Sequence, residues 1–542
     1  MGARRNFVKG ALLGLGWGFI LELFFGLAFD VFPRFSLQFI SPLFRSSRVR
    51  VILHAAVVAA YNGKGSTDLS GEQSPSGGET CEGALLPQQG DPRASKGASF
   101  SRARSPGGLL ALATNLNSSK YSRRLHRAEL GRLPGSESRV VRAPFKPNVL
   151  VLPVHKDNST NLHITNLRSE LLRSLCRFVD LNGRFLWVNC DQNYLSSTYN
   201  APFCHSTQCS RAGVHYCHKC NSTTIRPGCH NNTCGVLATN PLTKKNAISE
   251  IAEDVVSIQS IDHQWATIPQ FVFACAPSSM LQGPLPKGVV GVAGLGHTPV
   301  ALPMQLASHF GFRPHFALCL SSSPTKNGGI FFGNIPSKIP PRVMAYTPLT
   351  IGPQGEYFIL VKSIKINNQT VPFNTSLLSK TRGFGGTMIS TTTPYTVLEH
   401  SIYDTFTRFF ADQLVGVPRV EAVPPFGVCF NAKLLPPTRV GTPNIDFVMQ
   451  NRNVSWRVFG VDALVRVRPN VSCLAFVDGG TNARAGITIG AYQLEENFIH
   501  FDLLKSRVGF IPSRLSFPIT CSNYFNFTGA NKLTMEFDGM GD

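Results

Sequence analysis

The sequence predicts an all-β protein built from two lobes and preceded by a disordered extension. Its composition combines 48 Gly, 37 Pro and 39 Phe with only 15% charged residues, which is typical of many short strands joined by turns. Two series of strand-like segments, one before and one after about residue 345, carry matched apolar-turn motifs. With 542 residues, the chain is long enough for two cores and an extension. These observations favour an internally duplicated protein.

The first 143 residues are expected to lie outside the two lobes. Residues 1–32 place Arg4, Arg5 and Lys9 ahead of an apolar run at residues 11–29, which only Glu22 interrupts. This pattern predicts a signal peptide or an uncleaved signal anchor, and a wrongly assigned start of translation is the alternative. Residues 33–143 form a low-complexity basic stretch rich in Gly, Ser, Pro and Arg, which we expect to be disordered.

The first lobe is assigned to residues 144–345. It begins with the strand-like run NVLVLPVHKD, and strand signals return at AEDVVS, PQFVF and VVGVAGL. Between them, the stretch at residues 162–178 places Leu167, Leu171 and Leu175 at helical spacing, which predicts a helix holding an odd cysteine, Cys176. The cysteine-rich stretch that follows is expected to be held by disulfides more than by a core.

The second lobe is assigned to residues 346–530, with a tail at residues 531–542. Its strand signals include YFILVKSIKI, PFGVCF, IDFVM and SRVGFIP, and residues 401–414 predict a helix. The lobe therefore repeats the strand-rich pattern of the first.

One stretch of the first lobe, FVDLNGRFLWVNCD, carries a candidate catalytic acid. Asp180 lies between an apolar strand and a turn on Asn182 and Gly183, which is how an aspartic protease presents one of its two acids. The equivalent turn of the second lobe is expected between TMI and YTVL, where Ser390 and three following threonines supply no carboxylate. Asp478, in DGGT, is the alternative second acid, and its position indicates a hairpin loop.

An aspartic protease needs two carboxylates that share a proton, so that one acts as base and the other as acid. Leu181 follows the first acid and has no hydroxyl to donate. The stretch expected to form the substrate flap, residues 234–253, contains no Tyr. Asp180 is therefore expected to be a vestigial, partly buried turn residue, with Ser390 at the place of its lost partner.

Charge and cysteine content together limit the partners. A formal charge of +21 first suggests nucleic acid, but fourteen cysteines suit an oxidising compartment, so we expect no nucleic acid partner. A basic secreted protein suits an acidic wall polysaccharide equally well. The CHKC run at residues 217–220, with Cys229 and Cys234 nearby, leaves a zinc site as an alternative interpretation.

The preferred interpretation of the cysteines is six disulfides, without a metal or a cofactor. The even set consists of Cys190, Cys204, Cys209, Cys217, Cys220, Cys229, Cys234, Cys275, Cys319, Cys429, Cys473 and Cys521. Sequons for N-glycosylation occur at Asn117, Asn158, Asn221, Asn231, Asn368, Asn374, Asn453, Asn470 and Asn526. Together these features indicate a secreted, extracellular or cell-wall protein.

From about residue 146 to residue 528, the chain resembles plant aspartic-protease-like proteins that have lost catalysis. The family includes extracellular dermal glycoproteins, xyloglucan-specific endoglucanase inhibitors, basic 7S globulins and the related xylanase inhibitors. The matching segments include GRFLWVNCDQNYLSSTY, GVVGVAGLG, TPYTVLEHSIY and IGAYQLEENFIHFDLLKSRVGF. The resemblance implies a bilobal pepsin-like fold without enzymatic activity. Residues 1–143 have no counterpart in the family, and residues 162–178 stand where its first β-hairpin belongs.

The resemblance also implies inhibition of microbial glycoside hydrolases of the xyloglucan endoglucanase type. A loop arginine would enter between the target's two catalytic carboxylates, and the loop at residues 431–444 carries Arg439 at the family's inhibitory position. This loop contains no His, the residue that xylanase inhibitors are understood to use. Arg382 and Arg484 are weaker candidates on other second-lobe loops. The family pattern further implies the disulfides Cys429–Cys473 and Cys319–Cys521 and leaves the first-lobe pairings open.

Two other functions remain open from the sequence. One is an aspartic endopeptidase, and the other is a basic globulin that binds a peptide or a wall polysaccharide. A membrane is a partner only if the N-terminal segment is an uncleaved anchor.

Overall fold

A computed structural model describes residues 145–169, 175–191, 194–334, 343–379, 385–436, 441–511 and 520–522 of the chain. The expected signal segment, basic extension and C-terminal tail lie outside these residues. Within the described ranges, no helix combines the length and the apolar character that crossing a membrane requires.

Strands dominate both halves of the described chain. The first half contains β1 (Val149–Lys156), β2 (His163–Ser169), β3 (Leu175–Asp180), β4 (Trp187–Asn189), β5 (Cys217–His218), β6 (Thr233–Thr239), β7 (Asn246–Ser260), β8 (Trp265–Ala276), β9 (Val289–Gly294), β10 (His315–Cys319) and β11 (Gly328–Gly333). The second half contains β12 (Ala345–Ile351), β13 (Tyr357–Ile359), β14 (Val361–Ile366), β15 (Gln369–Thr370), β16 (Thr387–Ile389), β17 (Thr396–Leu398), β18 (Arg419–Val420), β19 (Cys429–Asn431), β20 (Ile445–Met449), β21 (Ser455–Val458), β22 (Leu464–Arg468), β23 (Val471–Leu474), β24 (Phe476–Asp478), β25 (Ile487–Ile489), β26 (Phe498–Asp502) and β27 (Arg507–Phe510). The expectation of an all-β protein is confirmed.

Helices are short and few among the described residues. They are α1 (Thr207–Arg211), α2 (Leu302–Phe310), α3 (His400–Asp412) and α4 (Ala491–Leu494), with 3₁₀ turns at Ser278–Leu281, Thr375–Leu378 and Gly460–Ala463. The helix expected at residues 401–414 is confirmed as α3. Its first turn is capped by Glu399, whose carboxylate accepts from two backbone N–H groups, and Ile402, Phe406 and Phe410 form its buried face.

The helix predicted at residues 162–178 is wrong. Two antiparallel strands, β2 and β3, occupy this stretch on either side of residues 170–174, with Ile164 opposite Phe178. Ile164 and Leu167 lie on opposite faces of β2 and are buried in two different core clusters. A strand buried on both faces gives an apolar pattern that periodicity does not separate from a helix, and the leucine spacing misled the prediction. Cys176 is also disulfide-bonded, so its interpretation as an odd cysteine is wrong.

Each half contains the same unit of strand pairing. In the first half, β9 runs parallel to β3 and antiparallel to β4, and β4 runs parallel to β8. In the second half, β25 runs parallel to β16 and antiparallel to β17, and β17 runs parallel to β24. The matching set of directions shows that the chain is internally duplicated.

The last strands of the chain join the two halves. β26 pairs with β10 of the first half and with β27, and β27 pairs with β12, so one sheet continues from one half into the other. Phe316 of β10 stacks on Phe501 of β26 with ring centroids 4.6 Å apart, and Tyr357 packs on the same ring. This sheet holds the two lobes together through buried aromatic side chains.

Candidate functional site

The duplicated units place two equivalent turns face to face. Asp180 ends β3 and lies opposite Gly294 of β9. In the second half, Ser390 follows β16 directly, and its N–H donates to Ile489 O of β25 at 2.9 Å. Asp180 and Ser390 thus each stand at the end of a short strand that runs parallel to another strand of its own lobe.

Hydrogen bonds join the two turns across the lobes. The Thr391 hydroxyl accepts from Leu181 N–H at 2.9 Å and donates to Val179 O at 2.7 Å. From the other side, the Asn182 side-chain amide donates to Ile389 O at 2.8 Å. Since Val179 and Ile389 precede the two equivalent positions, each lobe supplies one side chain that ties down the other lobe's turn.

Sequence reasoning missed the roles of Thr391 and Asn182. Leu181 has no hydroxyl with which to repeat the Thr391 contact, and the amide of Asn182, one residue later, makes the corresponding bond. The Asn182 side-chain oxygen also accepts from Tyr357 N–H at 3.1 Å. The polar residues that closely follow Asp180 and Ser390, namely Asn182 and Thr391, are the signal that could have identified these contacts.

Asp180 is a buried acid with few partners. Its side chain accepts from Asn182 N–H at 3.0 Å, and the residue is 6% exposed. Burial raises the pKa of Asp180 to about 6, against the opposing effect of the Asn182 N–H. The nearby charge of Lys244 lowers this pKa, and that of Glu356 raises it. The carboxyl is therefore poised to change charge in mildly acidic solution.

Ser390, in the turn that faces Asp180 from the second lobe, offers a hydroxyl. Its Oγ lies 3.0 Å from the Thr393 hydroxyl and 3.2 Å from the Thr392 hydroxyl, and it accepts from Thr392 N–H at 3.3 Å. The residue is almost fully buried. A serine hydroxyl stays neutral over the range in which Asp180 titrates, so these two positions do not form a carboxylate pair that shares a proton.

Glu356 is a second buried carboxylate near this cleft, but its oxygens are occupied. One oxygen pairs with the Arg484 guanidinium, and the other accepts from Gln354 N–H at 2.9 Å. Both carboxylate oxygens of Glu356 are therefore already engaged by other groups. The structure thus commits Arg484, a predicted inhibitory-loop candidate, to an internal ion pair. The other two candidates, Arg439 and Arg382, lie outside the described residues.

Strands β6 and β7 form the hairpin expected as the flap. Their turn, at residues 240–245, is closed by Asn240, whose side-chain oxygen accepts from Leu242 N–H at 2.9 Å. Lys244 in this turn has a φ of 59°, and its charge acts on Asp180. The hairpin that lacks the expected flap tyrosine therefore carries a cation, Lys244, whose charge acts on Asp180.

The disulfides account for the twelve cysteines of the predicted even set. The bonded pairs are Cys190–Cys275, Cys204–Cys217, Cys209–Cys234, Cys220–Cys229, Cys319–Cys521 and Cys429–Cys473. The last two are the pairings that the resemblance implied. Disulfide sulfurs are not thiolate ligands, so the alternative zinc site at the CHKC run is wrong for this structure. The same objection applies to the cluster of Cys204, His205 and Cys217.

Besides its disulfides, buried acids of β7 hold the cysteine-rich segment. Glu250 accepts from the backbone and ring N–H groups of His230 at 2.7 and 2.9 Å, and from the Tyr199 hydroxyl. Asp254 accepts from the Tyr194 hydroxyl at 2.7 Å. These carboxylates attach the loops to a core strand through charge-assisted hydrogen bonds.

Seven sequon asparagines lie on the described surface. Asn158, Asn221, Asn231, Asn368, Asn374, Asn453 and Asn470 are all exposed. Asn117 and Asn526 lie outside the described residues. Glycosylation at these positions stays a prediction.

Comparisons with known proteins agree with this architecture. The family described as "Xylanase inhibitor N-terminal" matches residues 170–334, and "Xylanase inhibitor C-terminal" matches residues 356–512. Gamma conglutin 1 of Prunus dulcis is 52% identical over 397 residues, which cover 71% of this chain and 91% of the relative. The crystal structure of basic 7S globulin from soybean is 48% identical, with a TM-score of 0.65, and covers 70% of this chain and 100% of that chain.

One relative carries the name of an enzyme. The "Probable aspartic proteinase GIP2" of Nicotiana benthamiana is 45% identical over 411 residues, covering 71% of this chain and 93% of the relative. The duplicated strands, the facing turns and these matches confirm the expected bilobal, aspartic-protease-like fold. The chain belongs to the xylanase-inhibitor family of aspartic-protease-like proteins, together with the gamma conglutins and basic 7S globulins.

Proposed function

We propose that this protein is secreted, lacks catalytic activity, and binds and inhibits a microbial glycoside hydrolase of the xyloglucan endoglucanase type. The observation that carries the proposal is the pair of equivalent turns, one with the carboxylate of Asp180 and the other with the hydroxyl of Ser390. Activation of water between two lobes needs a carboxylate at both positions. The match to both parts of the xylanase-inhibitor family supports binding of a hydrolase as the function.

Inhibition would use a cation aimed at the target's catalytic acids. A retaining glycosidase holds its two carboxylates about 5–5.5 Å apart, and an arginine fork placed between them can pair with both. Arg439 is our first candidate for this role, and Arg382 is a weaker one. Arg484 ranks lower because it would first have to leave Glu356, a buried carboxylate.

Hydrogen bonds hold both described ends of the Arg439 loop, which supports its role as a binding loop. At its start, Ala432 N–H donates to Asn470 O at 2.8 Å. At its end, Asn444 N–H donates to the Asn367 side chain at 3.0 Å, and Asn367 N–H donates to Asn444 O at 2.9 Å. A loop whose two ends are hydrogen-bonded to neighbouring turns loses less conformational freedom on binding.

The test is an inhibition assay of the secreted full-length protein against fungal xyloglucanases and xylanases. We expect inhibition of a xyloglucanase, and Arg439→Ala should weaken it on the order of 100-fold, because a target carboxylate is left without its partner. Lys433→Ala removes an exposed cation from the same loop and should leave inhibition nearly unchanged. Equal inhibition by the wild type and Arg439→Ala would remove the proposed role of that residue.

An aspartic endopeptidase is the second candidate, favoured by the retained acid Asp180 and by the relative named as a proteinase. It requires cleavage of a protein substrate at acid pH that pepstatin blocks and Asp180→Asn abolishes. Such activity in the purified protein would overturn our proposal. Binding of a peptide or polysaccharide without hydrolase inhibition would instead support a binding globulin.

Disulfides and exposed sequons support the secretory path as part of this proposal. The positive charge also suits an acidic wall polysaccharide as an additional partner.

A further inference from the structure

Three neighbouring strands of the first lobe present one polar face to solvent. Arg168 of β2 lies opposite Ser257 of β7, which lies opposite Thr267 of β8. Two residues further along, Gln259 lies opposite Trp265. Directly paired residues of antiparallel strands point to the same side, as do residues two apart. These five side chains therefore share a face, which we call the Trp265 face.

The opposite side of the same strands is core. Val256 and Ile258 of β7 and Ala266 and Ile268 of β8 are buried in the large hydrophobic cluster. The orientation of the Trp265 face is thus fixed, because a shift of one residue would bring its polar side chains into the core.

The Trp265 face includes an exposed indole. Trp265 is 47% exposed, whereas Trp187 and Trp456 are almost completely buried. The Arg168 guanidinium carbon lies 5.0 Å from the centre of the indole ring, which is a cation–π contact. The contact places an aromatic ring and a cation side by side, where one ligand can meet both.

Arg168 keeps its hydrogen-bonding capacity. Within the described ranges, no carboxylate forms an ion pair with it. A guanidinium stacked on an aromatic ring donates through its edge, where a carboxylate can accept two parallel bonds. Beside it, the hydroxyls of Ser257 and Thr267 are 3.0 Å apart and form a short polar row.

These groups match the chemistry of a uronic acid. A sugar ring offers an apolar C–H face that packs on an indole, hydroxyls that bond to hydroxyl and amide side chains, and, in a uronate, a carboxylate for an arginine. We propose that the Trp265 face binds an acidic polysaccharide, with Trp265 packed on a sugar ring and Arg168 paired with its carboxylate. This site lies on first-lobe strands and does not depend on the Arg439 loop.

The test measures the affinity of the full-length protein for sodium polygalacturonate by calorimetry at physiological salt. We expect Trp265→Ala and Arg168→Gln each to weaken binding on the order of 10-fold, with Trp265→Phe retaining most of it. Arg211→Gln removes an exposed arginine from α1 and is the matched control for net charge. Tryptophan fluorescence gives a second readout, since the ligand should change the emission of the wild type but not of Trp265→Phe.

A strongly basic protein also attracts a polyanion without a specific site, and the variants separate the two cases. If Arg211→Gln weakens binding as much as Arg168→Gln does, and Trp265→Ala has no effect, charge alone accounts for binding and the proposed site is wrong. Absence of wild-type binding would also overturn it. Binding of neutral xyloglucan as tight as that of polygalacturonate would overturn the role of Arg168.

Discussion

At the scale of single residues, Asp180 is an acid whose charge state depends on the fold. Its carboxyl is buried, and burial is the chief cause that raises its pKa to about 6. A raised pKa means that the folded protein holds a proton that the unfolded chain releases between pH 3.8 and about 6. The contribution of Asp180 to the free energy of unfolding is therefore fully present below its unfolded pKa of 3.8. It is lost as the pH rises through its folded pKa of about 6.

Asp180→Asn tests this linkage by removing the ionisation while keeping an oxygen that can accept from Asn182 N–H. We expect the variant to match the wild type near pH 3 and to exceed its free energy of unfolding by about 3 kcal/mol at about pH 7.5. Urea unfolding at several pH values gives the measurement. Asp262→Asn, at an exposed turn, is the control and should change little at any pH.

The outcome that contradicts this expectation is a constant difference between Asp180→Asn and the wild type across the pH range. It would mean that Asp180 keeps an ordinary pKa in the folded protein, and that the apolar surround does not act on it as described.

At the scale of elements, the features that could be predicted are those that depend on short local motifs. The two turns and α3 were predictable because each lies in a short motif whose residues have few alternatives. The β2–β3 pair was not, because side chains on the two faces of β2 are buried in core clusters whose other members come from many parts of the chain. The contact between Thr391 and the opposite turn was likewise hidden, since it joins residues about 210 positions apart.

Thr391→Val tests how strongly the two turns depend on each other. Valine keeps the shape of the side chain but leaves Leu181 N–H and Val179 O without their buried partner. We expect a loss of about 3 kcal/mol in the free energy of unfolding, because two buried polar groups become unsatisfied. Thr391→Ser keeps the hydroxyl and should lose much less, so equal losses in the two variants would contradict the role of the hydrogen bonds.

At the scale of the whole molecule, the two lobes are held by one continuous sheet and by the Cys319–Cys521 disulfide. This disulfide joins residues 202 apart, whereas Cys220–Cys229 joins residues 9 apart within the cysteine-rich segment. Closing a longer loop removes more entropy from the unfolded chain. Cys319–Cys521 should therefore contribute more to the free energy of unfolding than Cys220–Cys229 does.

Replacing both cysteines of a pair by serine measures this difference. We expect Cys319→Ser with Cys521→Ser to lower the free energy of unfolding by about 5 kcal/mol, and Cys220→Ser with Cys229→Ser by about 3 kcal/mol, from loop-closure entropy. Denaturant unfolding of the two double variants under oxidising conditions gives the comparison. A larger loss from the short loop would show that local packing outweighs chain entropy here.

The pairing of β10 with β26 also sets an order for folding. β10 ends at residue 319, yet its partner strand begins at residue 498, so the sheet between the lobes stays incomplete until almost the whole chain has left the ribosome. Until then, apolar side chains such as Phe316 lack their stacking partner. Contacts of this sequence separation form slowly and leave strand edges open in the meantime. The newly made first lobe is therefore exposed to aggregation until β26 has been added.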